Sequence, residues 1–297
     1  MLCALDRTGN EEDELMEELQ FKIDGPSLED GVPLPVAISA LSSFQSIVDK
    51  TYLITADKTR ITKSEREKFY IRATEFKHGS FLTYFEIALQ GVQLSLPLVS
   101  NLGPQNIWDL TKDTFSMLKT VCGAVQNGKE PTYEFNNDGD VNVHVGDENH
   151  HYHGPVFQIA QLAHPNYQDL AHLLGNTKLT EISAGQKFSS KHDIYLNELD
   201  REAFDIPTKL QKETTELKCE VFDFNKYKNS GKLSVSDGGQ EVPPGEYNFS
   251  IFGNQDNVEY IYTLLKPQVT LFCLVEESIS PFGGVAVHKL HITGVGS

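Results

Sequence analysis

The spacing of apolar residues predicts a mixed α+β fold for the first half of the chain. Apolar and polar residues alternate over 19–24, which is the period of a strand with one buried face. Two further extended runs, 69–73 and 81–87, follow each other as a hairpin would. Helical spacing begins after Pro33 and again after Pro104, where a proline in the first turn is tolerated. This order predicts an antiparallel sheet with helices packed on it.

A third hairpin is predicted over 133–153. Valines alternate with polar residues over 141–145, and the Gly-Asp-Glu-Asn segment 146–149 has the composition of a turn. Residues 155–175 then show the pattern of two short helices, separated at Pro165 because proline interrupts helical hydrogen bonding.

A different pattern begins at residue 216. Three extended segments are followed by one helical segment and two more extended segments. This is the order of a five-stranded OB-type barrel, whose helix lies between its third and fourth strands. The sequence therefore predicts a small C-terminal OB-like β-barrel, with an SH3-like or other small barrel as the alternative.

These patterns predict four regions. They are an acidic arm (1–16), an α+β domain (17–175), a polar linker region (176–215) and the OB-like barrel domain (216–297). Residues 1–30 carry ten acidic side chains against two basic ones, which is typical of a solvated arm. The alternative is an arm that docks on a basic partner.

Charge and cysteine content narrow the classes of function. Twenty-five Lys and Arg residues against 42 Asp and Glu give a net charge of −17, which disfavours general nucleic-acid binding. No apolar run reaches the roughly 18–20 residues that cross a bilayer, and the first residues lack the pattern of a secretory signal. Four widely spaced cysteines without a CxxC pair suggest reduced thiols. We therefore expect a cytoplasmic protein that does not bind membranes.

The third hairpin concentrates histidine. Four of the ten histidines fall within it: His144, His150, His151 and His153. With an even number of residues in the turn, His144, His151 and His153 share one face of the hairpin. Three imidazoles on one face could hold Zn²⁺ with a water as fourth ligand, and Asp147 and Glu148 are near in sequence. The alternative is a polar face open to solvent with no cofactor.

The opposite face of this hairpin is apolar. It carries Val141, Val143, Val145 and Tyr152. Two-stranded hairpins are marginal in water, so this face must pack on helices of its own domain or on another chain. We therefore predict an interface here, with a protein partner or a second copy of the chain.

Aromatic residues of the predicted barrel suggest a third kind of site. Phe222, Phe224, Tyr247 and Phe249 could stack on single-stranded bases if they lie on an exposed face. The segment 216–297 carries ten acidic residues and six Lys or Arg, however, and strands need aromatic residues for their cores.

Catalytic motifs are missing from the sequence. It has no GxSxG, and no cysteine lies in the context of a catalytic nucleophile. No catalytic residue is predicted, and the sequence favours a protein that is not an enzyme.

Two stretches carry a resemblance. The strand–His-Gly-Ser–strand region 69–89 and the segment 140–149 (DVNVHVGDEN) resemble an uncharacterised family of bacterial proteins of about this length, some encoded in mobile-element or phage-defence regions. The resemblance implies a bacterial cytosolic protein in host–phage conflict and no catalytic residue. We therefore expect a non-enzymatic binding or regulatory subunit that acts through protein contacts. The alternatives are a metal-dependent enzyme centred on the histidine hairpin and a small-molecule or single-strand sensor that uses the barrel.

Overall fold

The computed structural model describes residues 15–25, 33–77, 81–89, 103–136, 139–175, 179–189, 191–253, 257–263 and 266–296. The chain forms two compact units. The first comprises Met1–Ala124 and Pro131–Asp205, and the second comprises Val125–Glu130 and Ile206–Ser297. The predicted mixed α+β class is confirmed. Most of the predicted acidic arm, residues 1–14, lies outside the described residues.

The first unit contains eight described strands and four described helices. The strands are β1 (Leu15–Asp24), β2 (Phe69–Lys77), β3 (Phe81–Leu89), β4 (Thr132–Phe135), β5 (Val141–Val145), β6 (Glu148–Tyr152), β7 (Glu181–Gln186) and β8 (Ile194–Asn197). The helices are α1 (Leu34–Thr55), α2 (Lys63–Lys68), α3 (Pro104–Gln126) and α4 (Val156–His172).

Five of these strands form one antiparallel sheet in the order β2-β3-β1-β7-β8. The central strand β1 places Leu19 opposite Phe85 of β3 and Gln186 of β7. Its alternating apolar side chains are fully buried, as the period of two predicts. The ring of Phe21 lies 4.8 Å from that of Phe44, so α1 packs on this sheet.

Helix α3 contributes the largest buried side chain of the unit. Trp108 is fully buried, and its indole N–H donates to Asp193 Oδ2 at 2.9 Å. Its ring lies 6.3 Å from that of Phe44 on α1. The Tyr167 hydroxyl donates to the Thr111 carbonyl at 2.8 Å, which joins α4 to α3.

The prediction of two short helices over 155–175 is wrong. Helix α4 continues through Pro165. Proline removes one hydrogen bond and costs a helix roughly 3 kcal/mol, but Ala163, His164 and Tyr167 on the same helix are buried. The carbonyl of Leu162, three residues before the proline, accepts a hydrogen bond from Lys50 Nζ of α1 at 2.6 Å. Packing therefore compensates for the interrupted helix.

The predicted linker at 176–215 is also wrong for much of its length. It contains β7 and β8, and β7 pairs directly with the central strand β1. Ser183, Ala184 and Gly185 of β7 are buried but small, so they give little apolar signal in the sequence. The two units separate between Asp205 and Ile206, close to the start of the first strand of the second unit.

The second unit has the predicted order of three strands, one helix and two strands. These are β9 (Thr208–Asn225), β10 (Ser230–Asp237), β11 (Gly245–Ile251), α5 (Asn257–Thr263), β12 (Val269–Ile279) and β13 (Val285–Val295). The strands close into a ring in the order β10-β11-β13-β12-β9. Strands β11 and β13 are parallel, and the other pairs are antiparallel.

Every strand of this ring contributes to one core. Leu217, Leu233, Phe249, Leu271 and Leu290, one from each strand, are buried together. Two thiols, those of Cys219 and Cys273, also lie in this core. Burial raises the pKa of Cys219 and of Cys273 to about 12, so both stay protonated at neutral pH.

A buried histidine makes the stability of the first unit depend on pH. His164 Nε2 lies 2.8 Å from the Phe204 carbonyl, which requires a proton on that nitrogen in the neutral ring. Burial lowers the pKa of His164 from its ordinary value of 6.5. The unfolded chain therefore binds a proton more readily than the folded chain, so stability falls as the pH decreases below about 6.5.

We expect urea titrations to give a smaller free energy of unfolding at pH 5.5 than at pH 7.5. His164→Gln keeps a side-chain N–H donor and does not titrate, so it should flatten the profile over this range. A wild-type profile that is already flat, or an equally steep profile in His164→Gln, would contradict the assignment.

Candidate metal centre

The histidine hairpin, β5 and β6, forms two of the three strands of an antiparallel sheet ordered β4-β5-β6. Strands β5 and β6 are joined by a two-residue loop, Gly146 and Asp147. Gly146 adopts a φ of 61°, which a residue with a side chain rarely adopts. The even loop length sets the register, with Val141 opposite Tyr152 and Val145 opposite Glu148.

The apolar face of this sheet is turned into its own unit. Val141, Val143, Val145 and Tyr152 are all buried within the chain. The Tyr152 hydroxyl lies 3.2 Å from Thr120 Oγ1 of α3. The prediction of an interface at these four residues is therefore wrong, because their side chains are already buried within the chain itself. Packing within the domain, the other possibility for this face, is what the structure has.

The opposite face of the sheet brings three metal-ligating side chains together. The register places Asn142 opposite His151, and one step beyond the ladder it places Asp140 opposite His153. The His153 Nδ1 atom lies 3.2 Å from Asp140 Oδ2 and 3.3 Å from His151 Nε2. The third separation, from His151 Nε2 to Asp140 Oδ2, is 3.6 Å.

These separations match those of ligands around one ion. Nitrogen and oxygen ligands lie about 2.0–2.1 Å from Zn²⁺, so two ligands at the tetrahedral angle lie about 3.3 Å apart. The three observed separations, 3.2, 3.3 and 3.6 Å, bracket that value. One small cation could therefore contact all three atoms with little movement of the side chains.

Neighbouring groups orient two of the three ligands. Asn142 Oδ1 lies 2.7 Å from His151 Nδ1, so this nitrogen carries the proton and Nε2 presents its lone pair to the cluster. The backbone N–H of Gly154 donates to Asp140 Oδ1 at 2.7 Å, which leaves Oδ2 for the histidines. This N–H, with a smaller contribution from His153, lowers the pKa of Asp140 below its usual value. The carboxylate is therefore ionised at neutral pH.

The structure corrects the predicted ligand set in one position. His144 shares the face of His151, as predicted, but it is not part of the cluster. Its Nε2 atom lies 3.4 Å from Glu134 Oε2 of β4 instead. The structure brings His151 and His153 together with Asp140 in place of His144.

The other candidates near this hairpin lie elsewhere. His150 is on the apolar side of β6, opposite Val143, and its Nε2 atom is 3.3 Å from Glu148 Oε2. Asp147 lies in the hairpin loop, away from the cluster.

Asp140 was missed because it lies outside the alternating segment. The register that relates 142 to 151 also relates 140 to 153, so a two-residue loop at Gly146 would have indicated it. The sequence contains that signal, but the composition of residues 146–149 predicts a four-residue turn instead.

The aromatic residues predicted to stack on bases have mixed surroundings. Phe249 is buried in the barrel core, and Phe224 lies parallel to it with ring centroids 6.1 Å apart. The Tyr247 hydroxyl donates to the Pro243 carbonyl at 2.8 Å, and its ring packs against the core. Only Phe222 of the four is largely exposed, at 47%. The four rings therefore do not form a stacking surface, because the core requires most of them.

Comparison with known proteins gives no match: no family model, curated protein or solved structure matches this chain. Among the helices of the described ranges, none has both the length and the apolar character needed to cross a bilayer. The functional argument therefore rests on the geometry of the chain itself.

Proposed function

We propose that this chain is a non-enzymatic binding protein that holds a divalent metal ion, with Zn²⁺ as the best fit, at Asp140, His151 and His153. The observation that carries the proposal is the mutual spacing of their three ligand atoms. Imidazole and carboxylate ligands suit zinc and neighbouring transition metals. Mg²⁺ and Ca²⁺, which prefer oxygen ligands, fit this set less well.

The site is open to other molecules. Three protein ligands leave at least one coordination position for water or for a group from outside the chain. The side chain of His153 is 79% exposed and that of His151 is 43% exposed. A side chain of a partner protein could therefore complete the coordination. The proposed partner protein would therefore bind at the polar face of the sheet and not at its buried apolar face.

Metal analysis and titration test the proposal. We expect isothermal titration of the metal-free protein with Zn²⁺ to give one equivalent bound. Asp140→Ala and His153→Ala should each lower the affinity by about 100-fold or more, since two ligands hold zinc poorly. Asn142→Ala should lower it by about 10- to 100-fold, because Asn142 only orients His151.

His150→Ala is the matched control, since it removes an imidazole from the other face of the same strand. Its affinity should stay within twofold of wild type. Absence of zinc binding by the wild-type protein, or equal losses in the control and the ligand variants, would reject the site.

A metal-dependent enzyme is the second candidate. The open coordination position could hold a water whose pKa the metal lowers, as in zinc hydrolases. The high exposure of His153 favours the binding role, because catalytic metal sites usually lie where water is excluded. Zinc-dependent hydrolysis of ester or phosphodiester substrates by the wild type, lost in His153→Ala, would favour the enzyme instead.

We also infer that the second unit is an OB-type barrel. Its strand order around the ring, the parallel pairing of its third and fifth strands and the helix between its third and fourth strands support this assignment. The resemblance to bacterial proteins of phage-defence regions is the basis for proposing that this binding role belongs to the bacterial cytosol. Phage plating efficiency on cells that carry the wild-type protein, compared with cells that carry the His153→Ala variant, would test that setting.

A further inference from the structure

A groove of about 470 Å³ in the second unit is lined by residues of β9, β10, β11 and β13 and of the β9–β10 turn. Its size lies within the range of about 300–1,000 Å³ that is typical of sites for small ligands. Three lysines and one histidine from three parts of the unit line it. Lys228 comes from the β9–β10 turn, Lys232 from β10, and His288 and Lys289 from β13.

The charge of this groove is opposite to that of the chain as a whole. Asp223 is its one acidic lining residue, against three ammonium groups and an imidazole. The whole chain has a net charge of −17. A local excess of positive charge on an acidic protein attracts anions to one place while other surfaces repel them.

The three lysines have no carboxylate partner within 4.0 Å among the residues that the structure describes. Elsewhere, lysines and arginines do form such pairs. Lys218 of the same unit lies 3.6 Å from Asp237, and Lys119 of the first unit lies 2.7 Å from Asp200. Carboxylates outnumber Lys and Arg by 42 to 25 in this sequence, so partners are plentiful. The groove therefore keeps its ammonium groups available for an anion from outside the chain.

We propose that this groove binds the phosphates of a nucleoside phosphate, either a free nucleotide or a segment of single-stranded nucleic acid. Lysine binds phosphate as a compact point charge, and three lysines match the charge of two or three phosphates. Ser230 and Asn248 add neutral polar groups to the same lining. This site lies in the other unit from the proposed metal centre and does not depend on it.

An exposed aromatic ring belongs to the same turn as one of the groove's lysines. Tyr227 precedes Lys228 in the β9–β10 turn, is 87% exposed, and has the ammonium of Lys226 5.1 Å from its ring centre. A base can stack on such a ring without sequence preference. Tyr227 is therefore the ring that would stack on a base. The sequence did not predict it, and the four aromatic residues that were predicted to stack are not required.

Fluorescence anisotropy with labelled oligo(dT)10, and competition by ATP, test the proposal in buffer containing EDTA. EDTA keeps the metal centre empty, so failure here and failure of the metal proposal are distinguishable. We expect saturable binding, with a slope of log affinity against log salt of about −2 for three phosphate contacts. Competition by ATP as strong as that by unlabelled oligo(dT)10 identifies a free nucleotide as the ligand. Stronger competition by the oligonucleotide identifies the single strand.

Variants locate the binding. Lys232→Ala and Lys289→Ala should each weaken oligo(dT)10 binding about tenfold or more and reduce the salt slope by about 0.7. Tyr227→Ala should weaken binding about fivefold or more with no change in the salt slope. Lys212→Ala and Lys266→Ala, which remove exposed lysines of the same unit outside the groove, should stay within twofold of wild type.

Three results would overturn the proposal. They are no binding of either probe at millimolar concentration, equal losses in the groove and control variants, and equal affinity for a ten-base-pair duplex. The last result would show that the bases make no contribution, because a duplex buries them. Circular dichroism of each variant checks that the barrel is folded.

Discussion

We expect Trp108→Ala to lower the free energy of unfolding of the first unit by about 3–5 kcal/mol, the usual cost of truncating a buried tryptophan. Trp108 is fully buried, and its ring lies 6.3 Å from that of Phe44. Truncation leaves a cavity between α1 and α3 and removes the N–H that donates to Asp193 Oδ2. Domains are commonly stable by only 5–15 kcal/mol, so this loss is a large fraction of the total.

Trp108→Phe separates the two contributions. It keeps most of the apolar ring and removes the donor, so we expect a loss of about 1–3 kcal/mol. Urea unfolding followed by circular dichroism measures both variants. A cost below about 1 kcal/mol for Trp108→Ala would contradict the packing of α3 described above.

The second large effect is expected in the barrel. A Cβ added at Gly231 would lie 2.0 Å from the backbone oxygen of Asp223 and 2.9 Å from the Phe249 ring. Neither neighbour can move freely, since one is the paired backbone of β9 and the other is buried in the core. We therefore expect Gly231→Ala to destabilise the second unit by about 3 kcal/mol or more, as severe overpacking does.

Gly245→Ala is the matched control within the same barrel. Its added Cβ would find its nearest neighbour, the Tyr247 side chain, at 3.6 Å, which is an ordinary contact. We expect a change within about 0.5 kcal/mol. Thermal unfolding by circular dichroism measures both variants. Trp108, the one tryptophan in the sequence, lies in the first unit, so its fluorescence reports separately on that unit. Equal melting temperatures for the two variants would contradict the close approach of β9 and β10.

The sequence predicts elements well where one face is buried and the other is solvated. Strand β5 shows this, because Val141, Val143 and Val145 alternate with polar residues and are buried as expected. Strand β7 gives little signal, because Ser183 and Gly185 are buried without being strongly apolar. The position of β7 is set by pairing with β1, which is far away in the sequence, and local periodicity carries no information about such pairing.

The sequence predicts the location of the candidate metal site, but only some of the residues that form it. Clustering of histidines indicated the right hairpin, and parity placed His151 and His153 on one face. Which residues join the cluster depends on the pairing register of β5 and β6 and on residues just beyond the strand ends. Asp140 precedes β5, and His144 contacts Glu134 of β4. Neither fact could be predicted from the alternating pattern alone.

The central position of β1 has a consequence for synthesis on the ribosome. This strand is synthesised before its partner β7, and the Gln186 side chain donates a hydrogen bond to Glu17 across 169 residues. At about 5–20 residues per second, translation separates the two strands by roughly 8–34 s. During that time β1 can pair only with β3, so its other edge is open to chaperones and to other nascent chains. Slow codons between residues 90 and 180 would lengthen this interval, and aggregation of the newly made chain should increase with it.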